Sequence, residues 1–130
     1  TMGMFDNVRV EEGNCFGILP GHYQTKDLDD IMAEFVIGKD GVFRMEHADD
    51  DNYIGRFADC GIEVLENRLN HSDLEIHAFY SDIEAGKPAD WVIYHPGDPR
   101  ADNRGEVTYR LRVVNNQVTE VITAKIWAGK

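Results

Sequence analysis

"EVTYRLRVVNNQVTEVITAKIWA" (residues 106–128) decides the fold. Val107, Tyr109, Leu111 and Val113 alternate with Thr108, Arg110 and Arg112. That period of two belongs to a strand with one buried face. Asn115-Asn116 then interrupts the pattern. Asparagine accepts the positive φ that a two-residue hairpin turn demands. The chain returns through Val118, Val121, Ile122 and Ile126, so an antiparallel hairpin is expected over 106–127.

The same signals recur upstream. "MAEFVIGKDGVFRMEH" (32–47) reads as a second hairpin around Gly38-Lys39-Asp40-Gly41, with Asp-Gly supplying the turn. "LEIHAFY" (74–80) sets Leu74, Ile76, Ala78 and Tyr80 against Glu75, His77 and Phe79. "DWVIYHP" (90–96) is a further strand ended by Pro96. In "GMFDNVRV" (3–10), Val8 and Val10 fix the buried face, and Asp6 and Arg9 are expected to be at least partly wet. Phe5 has the other parity, which implies that both faces of the sheet are partly covered.

Helix signals are few. "GIEVLENRLNHS" (61–72) places Ile62, Leu65 and Leu69 at helical spacing, and 25–35 allows a single turn. Gly and Pro mark 84–90 and 96–105 as loops. The expected fold is mainly β, antiparallel sheet built of hairpins with at most one short helix, and α+β as the fallback. Residues 1–130 form a single globular domain.

Composition narrows the function. A 42% apolar and 28% charged chain is globular rather than disordered. No apolar run approaches the ~20 residues of a membrane-spanning helix. The start shows no secretory pattern, and two cysteines, Cys15 and Cys60, suit a reducing cytoplasm without requiring a disulfide. The net charge is −11, with the acid excess in residues 1–99 and a small basic excess in 100–130. Such a body repels a phosphate backbone, so direct nucleic-acid binding is not expected.

"MGMFDNVRV" (2–10), "LP" (19–20), "YQTKDLDD" (23–30) and "FVIGKDGVF" (35–43) resemble a group of small uncharacterised phage and prophage proteins. These open with Met-Gly-Met-Phe-Asp and carry an aromatic-Gln-Thr-Lys-Asp segment before a hairpin. "LEIHAFYSDI", "WVIYHP" and "VTYRLRVVNNQVTEVI" are similar to the second half of that group. The resemblance implies a phage or mobile-element origin and action in the cytoplasm of a host bacterium. It implies no catalytic residue. Paired N-terminal cysteines of some relatives suggest metal binding, but only Cys15 stands there in this chain.

The candidate sites are thin. "HADDDNY" (47–53) lacks the glycine and ligand spacing of a calcium loop, and none of the five histidines lies in a zinc pattern, so no metal and no cofactor is expected. The glycines form no phosphate-cradling run. The weak catalytic candidates are His77, His95 and Glu75, which face one another if their two strands pair. The candidate partner surface is acidic: Asp27, Asp29 and Asp30 in "YQTKDLDD", continued by Asp49, Asp50 and Asp51. Acids at a helix start would also explain the first three. Trp127 packs at an edge or anchors a contact. The favoured function is a non-enzymatic phage accessory protein whose acidic face binds a basic host protein and inhibits a defence or nucleic-acid enzyme. The alternatives are a small acid–base enzyme at His77/His95 and a structural or oligomerising part of a phage assembly that uses an exposed strand edge.

Overall fold

The structure, a computed structural model, describes residues 5–28, 33–47, 63–64, 70–87, 95 and 97–130. It is mainly β. The strands are β1 (Asp6–Val10), β2 (Gly21–Thr25), β3 (Glu34–Ile37), β4 (Phe43–His47), β5 (Glu63–Val64), β6 (Asn70–Ala78), β7 (Glu106–Val114) and β8 (Gln117–Trp127). Two short helices, α1 (Tyr80–Ala85) and α2 (Ala101–Arg104), lie between β6 and β7. All the strands join one sheet in the order β5-β4-β3-β1-β2-β6-β7-β8.

Both expected hairpins are present. Asn115 and Asn116 take φ of 51° and 65° and turn β7 into β8. Gly41, at φ 83°, closes the β3–β4 hairpin, where Gly38 N–H donates to the Val42 carbonyl (3.0 Å). The sheet is mixed rather than purely antiparallel, because β1 and β3 run parallel. Asp6 explains how β3 finds that position. Its Oδ1 accepts the Ala33 N–H at 2.9 Å, and Asn7 N–H donates to the Ala33 carbonyl at 2.9 Å. Asp6 is therefore fully buried, in phase with Val8 and Val10, not wet as its charge suggested. A buried carboxylate is tolerated where backbone N–H groups satisfy it.

The sheet also rolls. Val42 bridges Gln117, Phe43 N–H donates to the Asn116 carbonyl (2.7 Å), and Val118 N–H donates to the Gly41 carbonyl (2.9 Å). Gln117 Nε2 adds a bond to the Asp40 carbonyl at 2.7 Å. The two hairpin turns thus meet, and β4 touches β8 although they stand near opposite ends of the strand order. The inside of the roll holds the core: Val8, Tyr23, Phe43, Ile76, Leu111 and Val118 belong to one buried cluster. Tyr23 and Tyr109 meet edge to face there, with centroids 6.0 Å apart, and both hydroxyls are anchored on the Leu19 backbone. Burial pushes both phenols well above their usual titration range.

The second face is covered too, as Phe5 required: Phe5, Val36, Gln24 and His77 are all buried. The stretch 61–72, expected to be helical, is strand where it is described. Residues 63–64 are β5 and β6 begins at Asn70; residues 65–69 lie outside the described residues. The segment 84–90 begins inside α1, which Gly86 ends at φ 66°. The 96–105 stretch holds α2, which Gly105 ends at φ 71°. Each helix is too short to leave a periodic signal. The 90–96 strand falls outside the described residues except for His95. No helix among the described residues is long and apolar enough to cross a membrane.

Candidate functional site: a polar row across the sheet

On the face opposite the core, strand register lines up one polar residue per strand. Asn7 stands beside Glu34 on β3 and Gln24 on β2. Gln24 stands beside His77, His77 beside Thr108, and Thr108 beside Lys125. The row thus runs Glu34–Asn7–Gln24–His77–Thr108–Lys125. Its centre is dry, with Gln24 and His77 each 5% exposed. A dry polar row fixes register, because a one-residue slip would exchange it with the apolar face.

Glu75 and His77 do share a face, as their spacing implies. Glu75 Oε1 lies 3.8 Å from His77 Nδ1, beyond hydrogen-bond reach. The Glu75 carboxylate is also held by Arg110 at 3.3 Å, so it is shared between two partners. His95 does not join them through strand pairing. Both edges of β6 at His77 are taken, by Gln24 and by Thr108. His95 is exposed in the turn before α2, its carbonyl accepting the Asp98 N–H at 2.9 Å. The facing arrangement that an acid–base site requires is therefore not formed by these strands.

The acidic candidates separate in the same way. Asp27 is a structural acceptor: its Oδ2 takes the Glu75 N–H at 2.7 Å, while Thr25 Oγ1 donates to the Glu75 carbonyl at 2.7 Å. β2 leaves β6 after Gln24, so these two side chains replace the missing ladder bonds. Asp27→Ala should cost about 1–2 kcal/mol in urea unfolding by orphaning the Glu75 N–H, while Asp73→Ala, exposed and without an ion pair, should be close to neutral. Exchanging Asp27 for lysine would therefore perturb folding rather than a contact surface alone. Asp29, Asp30, Asp49, Asp50 and Asp51 lie outside the described residues. So does Cys60; Cys15 is a free, exposed thiol. Among the described residues no cluster of His, Cys, Asp and Glu is arranged to hold a metal ion.

His22 sits on the same face beside Arg9. Partial burial, and then the Arg9 guanidinium, lower its pKa; Glu34 and Glu46 pull the other way. The unfolded chain then takes up the proton first. Stability from the neutral imidazole is complete above the ordinary value of 6.5 and is lost as pH falls through the depressed one. His22→Gln should reduce the loss of thermal stability between neutral and mildly acidic pH. An unchanged pH slope would contradict this.

The charges around the row follow one pattern. Arg9 pairs with Glu46 (2.5 Å), Arg44 with Asp40 (3.5 Å), Arg100 with Asp98 (2.6 Å) and Arg104 with Asp82 (2.6 Å). Arg110 pairs with Glu75 and Arg112 with Glu120 (2.8 Å). Every arginine among the described residues is thus spent on a carboxylate of the same chain. Asp98 is held below the usual carboxylate range chiefly by its hydrogen bonds from Arg100. Glu12, Glu34, Asp73, Glu84 and Asp102 are exposed, and no ion pair holds them among the described residues. Comparison with known proteins adds nothing to this geometry: no family model matches the chain, and no curated protein or solved structure is significantly similar to it.

Proposed function

We propose that the protein is a non-enzymatic binding protein of the phage or prophage accessory type, whose acidic exterior captures a basic partner protein of a host bacterium. Inhibition of a defence or nucleic-acid enzyme is the consequence such capture would have. The supporting observation is the internal consumption of arginine. The chain carries a net charge of −11, and among the described residues Glu12, Glu34, Asp73, Glu84 and Asp102 face solvent. A surface of one sign speeds association with a partner of the other and rejects nucleic acid. The polar row does not compete with this reading, because both strand edges at His77 are taken and Glu75, the acid beside it among the described residues, is shared with Arg110.

The test is capture from a bacterial lysate by the parent and by a Glu12→Lys/Glu34→Lys/Asp73→Lys variant, with bound proteins identified by mass spectrometry. These side chains are exposed and, among the described residues, make no ion pair, so the variant should keep the parent's melting temperature. The reading predicts a basic partner retained by the parent, released by added salt and lost from the variant. A partner held equally by both, or capture indifferent to salt, overturns it.

A further inference from the structure

The β8 edge offers a second surface, independent of the acidic one. β8 pairs with β7 along its whole length, but on its other side only its first residues are engaged, at the bridge to Val42. No strand among the described residues pairs with 119–127 on that side. Past the two bulges of β8, at Thr119 and Ile122, the regular part of this edge is 123–127, about 17 Å with no described strand against it.

The register shows which groups face outward. Val118 sends its N–H away from β7, to Gly41. Its cross-strand partner is Val113, and Leu111, Tyr109 and Val107 keep the same phase along β7. Their partners Val121, Ala124 and Ile126 therefore also turn their backbone groups outward. The apolar stripe that begins with buried Val118 runs along these same residues and ends at Ile126, 50% exposed, next to Trp127, 38% exposed. An edge of unpaired backbone groups beside apolar side chains is a template for another strand.

Charge selects the occupant. β8 carries one glutamate and one lysine. Glu120 meets Arg112, Lys125 meets Glu106, and the neighbouring Arg110 meets Glu75. The ribbon is therefore neutral on a chain of net charge −11, a place where two copies can approach without the repulsion of their acidic bodies. β8 is itself an extended strand with a free edge, so it is its own complement under a two-fold axis. We infer that β8 pairs antiparallel with β8 of a second copy, giving a homodimer with one sheet continuous across both subunits.

The experiment is analytical ultracentrifugation of the full chain over a wide concentration range, for the parent, Ala124→Pro and Ile126→Lys. Proline at 124 removes an outward N–H that takes no part in the β7 ladder. Lysine at 126 places a charge in the interface from each side. The expected result is a dimer mass for the parent and a monomer mass for both variants. Amide exchange at Val121, Ala124 and Ile126 of the parent should slow as the dimer forms, a readout that needs no variant. A parent that stays monomeric throughout, a dimer that both variants preserve, or outward amides whose exchange does not change on association would each overturn the inference.

Discussion

Val8→Asp is expected to abolish folding. Val8 is fully buried in β1, between Tyr23 of β2 and Phe35 of β3, where the antiparallel and parallel ladders share one strand. The change loses about 1.5–3 kcal/mol of apolar burial. It also places a carboxylate with no hydrogen-bond donor among apolar neighbours, which costs several kcal/mol more. The sum is comparable with the whole stability of a small domain. Circular dichroism should show a chain without a cooperative transition. The contrast with Asp6 is instructive, since that carboxylate is buried two residues away but accepts the Ala33 N–H. A Val8→Asp protein that melts like the parent would mean that β1 is not central.

Gly41→Ala is expected to be strongly destabilising. At φ 83° an L-residue pays about 1–2 kcal/mol in backbone conformation. A methyl group there would also overlap the Phe16 ring and Gln117 Nε2, both part of the meeting of the two hairpins. Displacing them breaks the bond from Gln117 to the Asp40 carbonyl and loosens the bridge at Val42. A loss of roughly 2–4 kcal/mol in urea unfolding is expected, in line with strain plus disturbed packing. Gly86→Ala is the control: φ is 66° there, but nothing stands near the added methyl. It should show the backbone cost alone.

Local chemistry made the hairpins legible. Asn115-Asn116 and Gly41 are residues that positive φ selects, and alternation on both sides leaves one register that buries Val36, Val107, Val113 and Val118. What pairs at long range was not legible. The parallel contact of β1 with β3 depends on Asp6 reaching Ala33, and nothing in "GMFDNVRV" shows that a carboxylate will be used on a backbone N–H 27 residues away. The helical spacing of 61–72 rests on Ile62, Leu65 and Leu69, which lie outside the described residues, while Asn70–Ala78 is drawn into the sheet by seven paired residues of β7. Tertiary pairing outweighs so short a periodic signal.

The site was legible in part for the same reason. Glu75 and His77 share a face by their spacing, whereas Gln24, Asn7 and Thr108 join them only through the register of three other strands. The alternation of polar residues in "YQT" and "VTY" was the available signal, but it names no neighbour. Asp27 looked like part of an acidic patch because sequence cannot show that β2 departs from β6 at Gln24 and leaves the Glu75 backbone to be satisfied.

The rolled sheet is what places the polar row outside, the core inside and the β8 edge in the open. Amide hydrogen exchange at Phe43 and Val118 tests it most directly. Both N–H groups point away from their own hairpin partners and across the seam, to the carbonyls of Asn116 and Gly41. In a rolled sheet they should exchange as slowly as the central amides of β6 and β7, and Gly41→Ala should speed both together. Rapid exchange at Phe43 and Val118 in the parent, alongside protected β6 and β7, would show an open sheet and contradict the account.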